Sequence, residues 1–526
     1  MNINKYQRSS GFTLLELLII IGIIAIVGVI TMLIVNPTEL FSQSRDTRRM
    51  VDLKNIDSAA RLVRAEGVFM GNSNTVYISV PDPALSGNAT STCPNMGLPP
   101  LDPSWKYNCV SKDNLTKNNG IGWIPINFSS LSSGSPFASL PVDPENTTSS
   151  WRYYRYITDS KGKYIAVSGL YSEKFKPEAA KDGGFDSEKF EVGTGLSLWE
   201  ESKKYNGLVR ENCVSYTNCF TSLSQWESNY SGIPFGSCSP GDLNCVDKIA
   251  VAKIDGSWSN PDTRQVTIGG WTNSVNNYIK IYTTTAARHS GKWDNSKYRL
   301  QFTASGHFYD AINVRQDFVK IDGLQVYLIT SYRGNGAIGQ GYMSIHPNNK
   351  LEISNSIIKA TITDYAYGIV ADYNGIIYAW NNVIYGFKAT NYGTGYGITP
   401  ANSTKMMYFY NNTVYNNNVG IGTNGTTTVA INNISSDNSN SDYSTRVFST
   451  SSQNNISKDN SSPNVSYRDK IVFFVSIPTE DFHLSPVDTA AKDAGVDLSA
   501  DPNLSFTTDI DGQTRTGTWD IGADEL

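Results

Sequence analysis

The sequence predicts a multidomain chain in which a long N-terminal α-helix precedes an α+β head and an all-β domain of stacked coils. Three observations support this prediction: a continuous apolar run over 11–35, helical periodicity over 39–66, and a short asparagine-rich string that recurs between 321 and 456. The chain has 526 residues, which is too long for one domain on size alone.

The apolar run GFTLLELLIIIGIIAIVGVITMLIV begins at Gly11 and contains one charged side chain, Glu16. About twenty apolar residues are enough to cross a bilayer as a helix, so the run predicts a transmembrane segment over 12–35. Lys5 and Arg8 precede it, and a basic flank stays on the cytoplasmic side. We therefore expect a single pass through the inner membrane, with the C-terminus outside. A carboxylate in such a segment is costly, which indicates a functional role for Glu16.

The string G-F-T-L-L-E-L-L closely resembles the N-terminus of type IV prepilins and pseudopilins. The resemblance implies that a prepilin peptidase cleaves between Gly11 and Phe12, and that the new N-terminal Phe12 is methylated. It also implies that Glu16 is the assembly glutamate and that other pilin or pseudopilin subunits are the partners. If Glu16 of one subunit pairs with the Phe12 ammonium of its neighbour, the penalty for burying either charge is largely offset. The alternative is a plain membrane anchor.

The pattern becomes amphipathic from Glu39 to about Glu66, and Gly67 supplies a stop. Residues 67–207 contain short β patterns between turns and are similar to the globular heads of pseudopilin-like proteins. No cofactor is expected in the chain, although Asp143 and Glu145 offer oxygen ligands of the kind that Ca²⁺ prefers. Two acidic residues do not make a calcium site by themselves.

The composition indicates an extracellular, turn-rich protein. Only 17% of the residues are charged and the formal net charge is −5, so no nucleic-acid surface is expected. An even number of cysteines in near-neighbour pairs outside the cytoplasm suggests disulfides, with free thiols as the alternative and the connectivity left open. The candidates are Cys93, Cys109, Cys213, Cys219, Cys238 and Cys245. No metal site is expected, because no Cys/His spacing suits zinc and the chain has 4 histidines.

The second half of the chain is organised by a repeat. The repeated string is a short strand followed by Asn-Asn or a similar pair and a second short strand; its members are Ile321–Leu324, Ser354–Ile357, Trp380–Val383, Tyr410–Thr413, Ile431–Ile434 and Gln453–Ile456. Asparagine tolerates left-handed backbone at a corner, and equivalent asparagines in successive coils can form ladders. The repeat therefore predicts stacked coils whose apolar residues fill a narrow core.

This repeat looks like that of a right-handed parallel β-helix of the pectate-lyase-like kind. The strings Phe482–Pro486, Asp493–Gly495, Asp509–Gly512 and Asp520–Glu525 resemble the final segment of secreted bacterial β-helix proteins. In that family this segment closes the solenoid, so the resemblance implies structural roles for its Asp, Gly and Arg residues.

Catalytic residues are not expected in the β-helix. Polysaccharide hydrolases and lyases of this shape need clustered carboxylates, and the acidic residues over 317–460 are sparse and form no Asp-Asp pair. An aromatic and asparagine-lined face could still bind a polysaccharide or a host-surface ligand. The candidate glycan contacts are Tyr365, Tyr367, Tyr373, Tyr378, Trp380 and Tyr410.

We therefore expect a pilin-like or pseudopilin subunit, minor or tip-located, that displays a β-helix for adhesion at the cell surface. The alternatives are a pseudopilin of a type II secretion or DNA-uptake machine whose solenoid recognises cargo, and a surface-tethered polysaccharide lyase or hydrolase. The predicted domains are a leader peptide over 1–11, the N-terminal helix over 12–66, the head over 67–207, a cysteine-bearing linker over 208–262 and the β-helix over 263–526.

Overall fold

The computed structural model describes residues 13–94, 96–99, 101, 104–148, 151–184, 186–214, 216, 218–232, 238–340, 350–371, 375–391, 393–400, 405–423 and 427–526, without the side chains of 26–35 and 205. The chain divides into two compact units, Met1–Ser202 and Lys203–Leu526. The predicted leader over 1–11 lies outside the described residues.

The N-terminal region forms two consecutive helices, α1 (Leu14–Val35) and α2 (Pro37–Ala65). Asn36 separates them with left-handed backbone at φ 37°, and its side chain accepts a hydrogen bond from the Glu39 backbone N–H at 3.4 Å. Proline is tolerated at the first position of α2 because a backbone N–H at that position would have no partner within the helix. Among the described residues, no helix combines the length and apolarity needed to cross a bilayer. The predicted span over 12–35 includes Phe12 and side chains that lie outside the described residues.

The head is built on one six-stranded sheet in the order β2-β3-β1-β4-β5-β6. Its buried face packs against Leu53, Ile56 and Val63 of α2, which recur at helical spacing and are 0% exposed. The similarity of this head to pseudopilin heads stays a prediction. The elements of the first unit beyond α2 are β1 (Thr75–Ile78), β2 (Thr90–Ser91), β3 (Lys106–Val110), β4 (Arg155–Thr158), β5 (Tyr164–Gly169), α3 (Lys176–Ala179), β6 (Lys189–Gly193) and α4 (Ser197–Lys203).

The second unit is a stack of parallel strands. Its elements are β7 (Lys204–Val209), β8 (Cys219–Phe220), α5 (Leu223–Tyr230), β9 (Ile249–Ile254), β10 (Val266–Ile268), β11 (Ile279–Thr283), β12 (Leu300–Thr303), β13 (Ile312–Val314), β14 (Val319–Asp322), β15 (Gln325–Thr330), β16 (Asn335–Gln340), β17 (Lys350–Ser354), β18 (Ile357–Ile362), β19 (Ala366–Ala371), β20 (Ile376–Trp380), β21 (Val383–Tyr385), β22 (Tyr396–Pro400), β23 (Met407–Tyr410), β24 (Thr413–Tyr415), β25 (Val419–Ile421), β26 (Thr428–Ile431), β27 (Ile434–Ser436), β28 (Ser441–Tyr443), β29 (Ile456–Ser457), β30 (Phe474–Ser476) and β31 (Asp481–Leu484).

Three long sheets share these strands. Their orders are β10-β13-β16-β19-β22-β25-β28, then β26-β23-β20-β17-β14-β11-β9-β7-β8, and β12-β15-β18-β21-β24-β27-β29. From β10 to β28 successive strands enter the three sheets in rotation, so each turn of the chain over this range adds one strand to each sheet. The pairings are parallel, as in β14 with β17, where Ile321 lies opposite Ile353. These long parallel sheets fit the predicted β-helix.

The solenoid unit begins earlier than the sequence predicts. β7 pairs with β9 over all six of its residues, from Lys204↔Ile249 to Val209↔Ile254, and β9 pairs with β11. The residues predicted as a linker over 208–262 therefore supply strands to the solenoid sheet, and the head ends before 207. The sequence concealed this because neither KYNGLV nor IAVAKI carries an asparagine string.

Helix α5 caps the core near β7. Its buried Leu223 and Trp226 pack on the apolar core of the solenoid, and Trp226 stacks on Trp271 at 6.1 Å between ring centroids. A stack of coils needs such a cover because the first coil has no neighbour on one side.

Asparagine amides run through the solenoid from coil to coil. The Nδ2 group of Asn382 donates to Oδ1 of Asn412 at 3.0 Å, Asn412 donates to Asn433 at 3.0 Å, and Asn433 donates to Asn455 at 2.9 Å. All four side chains are 0% exposed. Each of these four amides is bonded on both sides, so the row places polar groups inside the core without leaving any of its own side-chain atoms unsatisfied. We call this row the inner asparagine ladder.

The asparagine just before each member of the ladder has a different role. Asn381, Asn411, Asn432 and Asn454 have φ between 49° and 54°, the left-handed region that asparagine tolerates better than most residues. Their side chains bond to the C-terminal segment 482–526, which we call the closing segment. The Nδ2 groups donate to Thr508 O at 2.7 Å, Asp520 O at 3.0 Å, Val496 O at 2.8 Å and Ala494 O at 2.8 Å, in that order.

The closing segment is held by Arg515, which is 5% exposed. One guanidinium nitrogen donates to Oδ1 of Asn381 at 3.1 Å and to Gly522 O at 3.0 Å, and the other donates to Glu525 at 2.9 Å. These contacts give Arg515 a structural role, in line with what the resemblance implies.

Replacing Asn412 with Ala tests the inner asparagine ladder. The change leaves the Asn382 amide and the Ala379 carbonyl without their partners, so we expect a local loss of about 2 kcal/mol of stability. Hydrogen–deuterium exchange of peptides covering β20 to β26 measures it. The matched control is Asn391→Ala, whose side chain is exposed. Equal exchange in the two variants would show that the ladder contributes no stability.

Candidate functional site

The start of α1 is organised by Thr13 and Glu16. Thr13 is the N-cap and its hydroxyl accepts a hydrogen bond from the Glu16 backbone N–H at 3.3 Å. The Glu16 carboxylate in turn accepts from the Thr13 N–H at 2.8 Å and from the Thr13 hydroxyl at 2.9 Å. This reciprocal arrangement is a capping box, and it satisfies donors that a helix start otherwise leaves open.

The other two predicted processing residues, Gly11 and Phe12, lie outside the described residues. Glu16 is exposed in the single chain, as are the apolar side chains around it, with Leu14 81% and Leu15 68% exposed. A carboxylate fixed by its own helix start and surrounded by exposed apolar side chains is available to a cation from outside the subunit.

The six predicted cysteines form three disulfides between near neighbours: Cys93–Cys109, Cys213–Cys219 and Cys238–Cys245. The first joins the segment after β2 to β3 in the head. The second joins β8 to the residues that follow β7, and the third closes a short loop ahead of β9. Such loops restrict the unfolded chain and so stabilise the fold.

The predicted aromatic glycan contacts do not form one platform. Tyr365 and Tyr367 lie at the start of β19, whereas Tyr378, Trp380 and Tyr410 lie on β20 and β23 of a different sheet. Tyr373 lies outside the described residues.

On the second of these sheets little ring surface is available. Tyr410 is 1% exposed, so its ring is not accessible to a glycan and its prediction as a glycan contact is wrong. Tyr378 stacks on Tyr408 with ring centroids 4.8 Å apart, and Trp380 packs against Phe506 of the closing segment at 6.3 Å. The rings of Tyr378 and Trp380 are therefore partly covered by other aromatic rings of the same unit.

Tyr367 belongs to a different surface feature, a pair of adjoining cavities of about 450 and 640 Å³. Ser444, Thr445 and Arg446 line both cavities, so we treat them as one polar groove. Its smaller part is lined by Tyr367, Tyr396 and Thr423, and its larger part by Phe448, Asn464 and Arg468. Among the described residues that line the groove, none is Asp, Glu or His.

The groove floor follows the strand register. Tyr367 lies opposite Tyr396, Tyr396 opposite Val419, and Val419 opposite Ser441, one residue from each of β19, β22, β25 and β28. The groove therefore runs along the axis of the stack and crosses the strands. Tyr396, Arg446 and Arg468 were not among the sequence candidates. The available signal was two arginines within the Ser- and Asn-rich stretch 431–468.

The residues considered for calcium do not fit the ion. Asp143 accepts two hydrogen bonds from Arg49, at 2.7 and 2.9 Å, and Glu145 accepts from Arg49 at 2.8 Å and from Arg152 at 2.6 Å. Guanidinium groups therefore already neutralise the carboxylates. Arg49 also bonds Asp46 at 2.8 Å, so the cluster anchors α2 to the head.

A histidine in the closing segment is held between carboxylates. The ring of His483 bonds Asp481 through Nδ1 at 2.5 Å and Asp511 through Nε2 at 3.1 Å. Ligand-type atoms of His483, Asp511 and Asp524 lie within 4.8 Å of one another. Because both ring nitrogens already bond to carboxylates, we interpret the cluster as an ion pair. The hydrogen bond to Asp511, followed by that to Asp481, raises the pKa of His483 to about 9.

A known protein family matches the start of the chain. Residues 6–32 match the family described as "Prokaryotic N-terminal methylation motif". No curated protein and no solved structure matches the chain. The motif includes Glu16 and the start of α1, and it supports a type IV pilin-like or pseudopilin-like subunit that is processed by a prepilin peptidase and assembles with other pilin subunits.

The ion pair at His483 predicts a pH-dependent closing segment. The pKa of the histidine is raised by folding, so its stabilising effect is complete below about pH 6.5 and is lost as the pH rises through about 9. We expect the local stability of 482–526 to fall by on the order of 2 kcal/mol across this window, measured by hydrogen–deuterium exchange.

His483→Gln removes the histidine and should remove that part of the pH dependence. The comparison also separates it from Asp524, whose pKa burial raises to about 7. His307→Gln, at an exposed position, is the control. An unchanged pH dependence in His483→Gln would rule out the ion pair as its origin.

Proposed function

We propose that this chain is a minor or tip-located type IV pilin-like subunit that carries a β-helix to the cell surface as an adhesive module. The match of residues 6–32 to the methylation motif carries the proposal. In it, the inner membrane holds the chain through α1 until a prepilin peptidase removes residues 1–11 and Phe12 is methylated. The subunit then enters a filament with other pilins.

The exposed apolar surface of α1 supports assembly. Leu17, Ile21 and Ile24 are between 56% and 62% exposed in the single chain, and a continuous apolar surface of this kind is normally covered by lipid or by neighbouring helices. A filament of packed N-terminal helices covers it after the chain has left the membrane.

Glu16 supplies the specificity of that packing. A carboxylate and an ammonium are each costly in an apolar environment, and pairing offsets much of the penalty. If the Phe12 ammonium of a neighbour meets Glu16, the penalty is relieved only when the subunits are in register. The capping box holds the carboxylate in place at the helix start before the partner arrives.

The size of the chain favours a minor position. The second unit, Lys203–Leu526, contains more residues than the first. Placing it on every subunit would crowd a filament surface, whereas a tip or an occasional position leaves room for it.

We further propose that the β-helix binds its ligand without cleaving it. Glycoside hydrolysis commonly uses two carboxyl groups on either side of the scissile bond. The described lining of the polar groove contains no such pair. A secretion or DNA-uptake pseudopilin whose solenoid recognises cargo is the rival, and the location of the assembled subunit distinguishes the two.

Substitutions at Glu16 test the assembly role. Glu16→Gln retains an oxygen that can complete the capping box but removes the charge, so we expect insertion into the membrane with at least about tenfold less protein in sheared filaments. The measurement is immunoblotting of membrane and filament fractions from the native host. Mass spectrometry of the filament fraction should show a methylated Phe12 as the first residue.

The matched control is Glu173→Gln, the same substitution at an exposed carboxylate of the head. It should enter filaments at near wild-type levels. Normal incorporation of Glu16→Gln, or a filament subunit that still carries residues 1–11, would overturn the proposal. Wild-type protein that accumulates only in the membrane while cargo export depends on it would favour the rival.

A further inference from the structure

Three adjacent strands of the solenoid begin beside one buried polar cluster. β7, β9 and β11 are neighbours in one sheet and pair in parallel, so they begin at the same edge. Lys203 immediately precedes β7, and Asp247 and Asn277 lie two residues ahead of β9 and β11. The three residues are 2%, 9% and 7% exposed, in that order. The cluster therefore brings an amine, a carboxylate and a primary amide together away from solvent.

The carboxylate of Asp247 contacts both of the other groups. Its Oδ1 atom lies 2.7 Å from Nζ of Lys203 and accepts a hydrogen bond from Nδ2 of Asn277 at 3.2 Å. Because both nitrogens contact one oxygen atom, they are no more than about 6 Å apart. The four-carbon stem of lysine is flexible, so rotation about it can carry the amine from the carboxylate to the amide carbon.

The amide of Asn277 is also bonded on its other side. Its Oδ1 atom accepts a hydrogen bond from the Ser274 hydroxyl at 3.3 Å, and its Nδ2 group donates to Lys248 O at 3.1 Å. A donor on the amide oxygen stabilises the negative charge that develops there when a nucleophile adds to the amide carbon. Asn277 is therefore oriented and polarised as an electrophile.

Burial favours the protonation states that such an addition needs. An ammonium and a carboxylate in contact can exchange a proton, and removal from water penalises both charged forms. The neutral pair, an amine beside a carboxylic acid, is therefore more accessible in this cluster than on the surface. A free amine is a nucleophile, and a positioned carboxyl group can carry protons between the reacting atoms.

We propose that Lys203 and Asn277 become joined by an isopeptide bond, with Asp247 carrying the protons. Nζ of Lys203 bonds to Cγ of Asn277, and the bond between Cγ and Nδ2 breaks. The lysine ammonium releases two protons through Asp247, and the departing nitrogen takes both and leaves as ammonium. Asp247 returns to the carboxylate form. No atom changes its oxidation state, so the step needs no oxidant or reductant.

The bond cross-links the solenoid where the chain enters it. Lys203 is the first residue of the second unit, and β7 pairs with β9 through backbone hydrogen bonds. A covalent link from Lys203 to the residues ahead of β11 carries tension past those hydrogen bonds. This advantage rests on the proposed function, in which a filament displays the solenoid, whereas the chemistry of the cluster does not.

Mass spectrometry of the purified full-length protein, reduced and denatured, tests the proposal. We expect an intact mass about 17 Da below that calculated for the reduced chain with the same N-terminus, which is the loss of one ammonia. After trypsin digestion, one cross-linked pair of peptides should contain Lys203 and Asn277. Fragmentation of that pair should place the link on these two residues.

Two variants should have the full, unreacted mass. Lys203→Arg keeps a cation beside Asp247 but lacks the nucleophilic amine, and Asp247→Ala lacks the proton carrier. The matched control is Lys253→Arg, the same substitution as the first at a half-buried position on β9. It lies outside the cluster and should show the same mass deficit as the wild-type chain.

The inference is overturned if the wild-type chain has its full calculated mass, if the missing ammonia is located at another asparagine, or if Lys203→Arg or Asp247→Ala retains the deficit. The wild-type measurement needs no variant, so a variant that fails to fold leaves the test intact. A filament subunit with the full mass refutes only the link. A cross-linked chain that does not enter filaments refutes only the assembly role.

Discussion

The solenoid depends on hydrogen bonds between asparagine amides of successive coils. Asn382, Asn412, Asn433 and Asn455 are buried, so each must find partners in the coil on either side. A shift of one residue between coils would separate Asn382 from Asn412, because the neighbours of Asn412 are the corner residue Asn411 and Thr413. The ladder therefore fixes the same register that the alternation of buried apolar residues in the strands requires. Coils of different length, with ladder steps of 30, 21 and 22 residues, keep this register because the differences fall in the turns.

At four corners of the stack two consecutive asparagines have different roles. The first has left-handed backbone and turns its amide to the outer surface, as Asn411 does toward Asp520 and Gly522. The second turns inward and joins the ladder. One Asn-Asn dipeptide thus forms the bend, supplies a hydrogen-bonded amide to the ladder and bonds to the closing segment. These roles account for the recurrence of the dipeptide without a longer shared sequence.

The sequence predicted those features that local chemistry determines. Asn-Asn strings indicated stacked coils, and near-neighbour cysteines indicated disulfides without choosing their connectivity. The functional role of the single carboxylate at Glu16 stays a prediction. It did not predict that β7 and β9 belong to the solenoid, because their residues carry apolar alternation without a corner signal. The polar groove was also missed. Arg446 and Arg468 are 22 positions apart in the sequence, and only the stacking of coils brings them to one surface. Tyr410 was predicted to contact a ligand but is buried in one apolar cluster with Trp519. The sequence could not distinguish these two roles for an aromatic residue beside a corner.

The closing segment binds corners in a different order from that in which the chain produces them. Ala494 contacts Asn454, whereas Thr508 contacts Asn381, more than a hundred positions upstream. Each coil can stack on its predecessor as it is synthesised, but the outer row of amides is covered only once residues 494–520 have followed. A chain that lacks the closing segment thus exposes a row of hydrogen-bond donors along the corners of the stack.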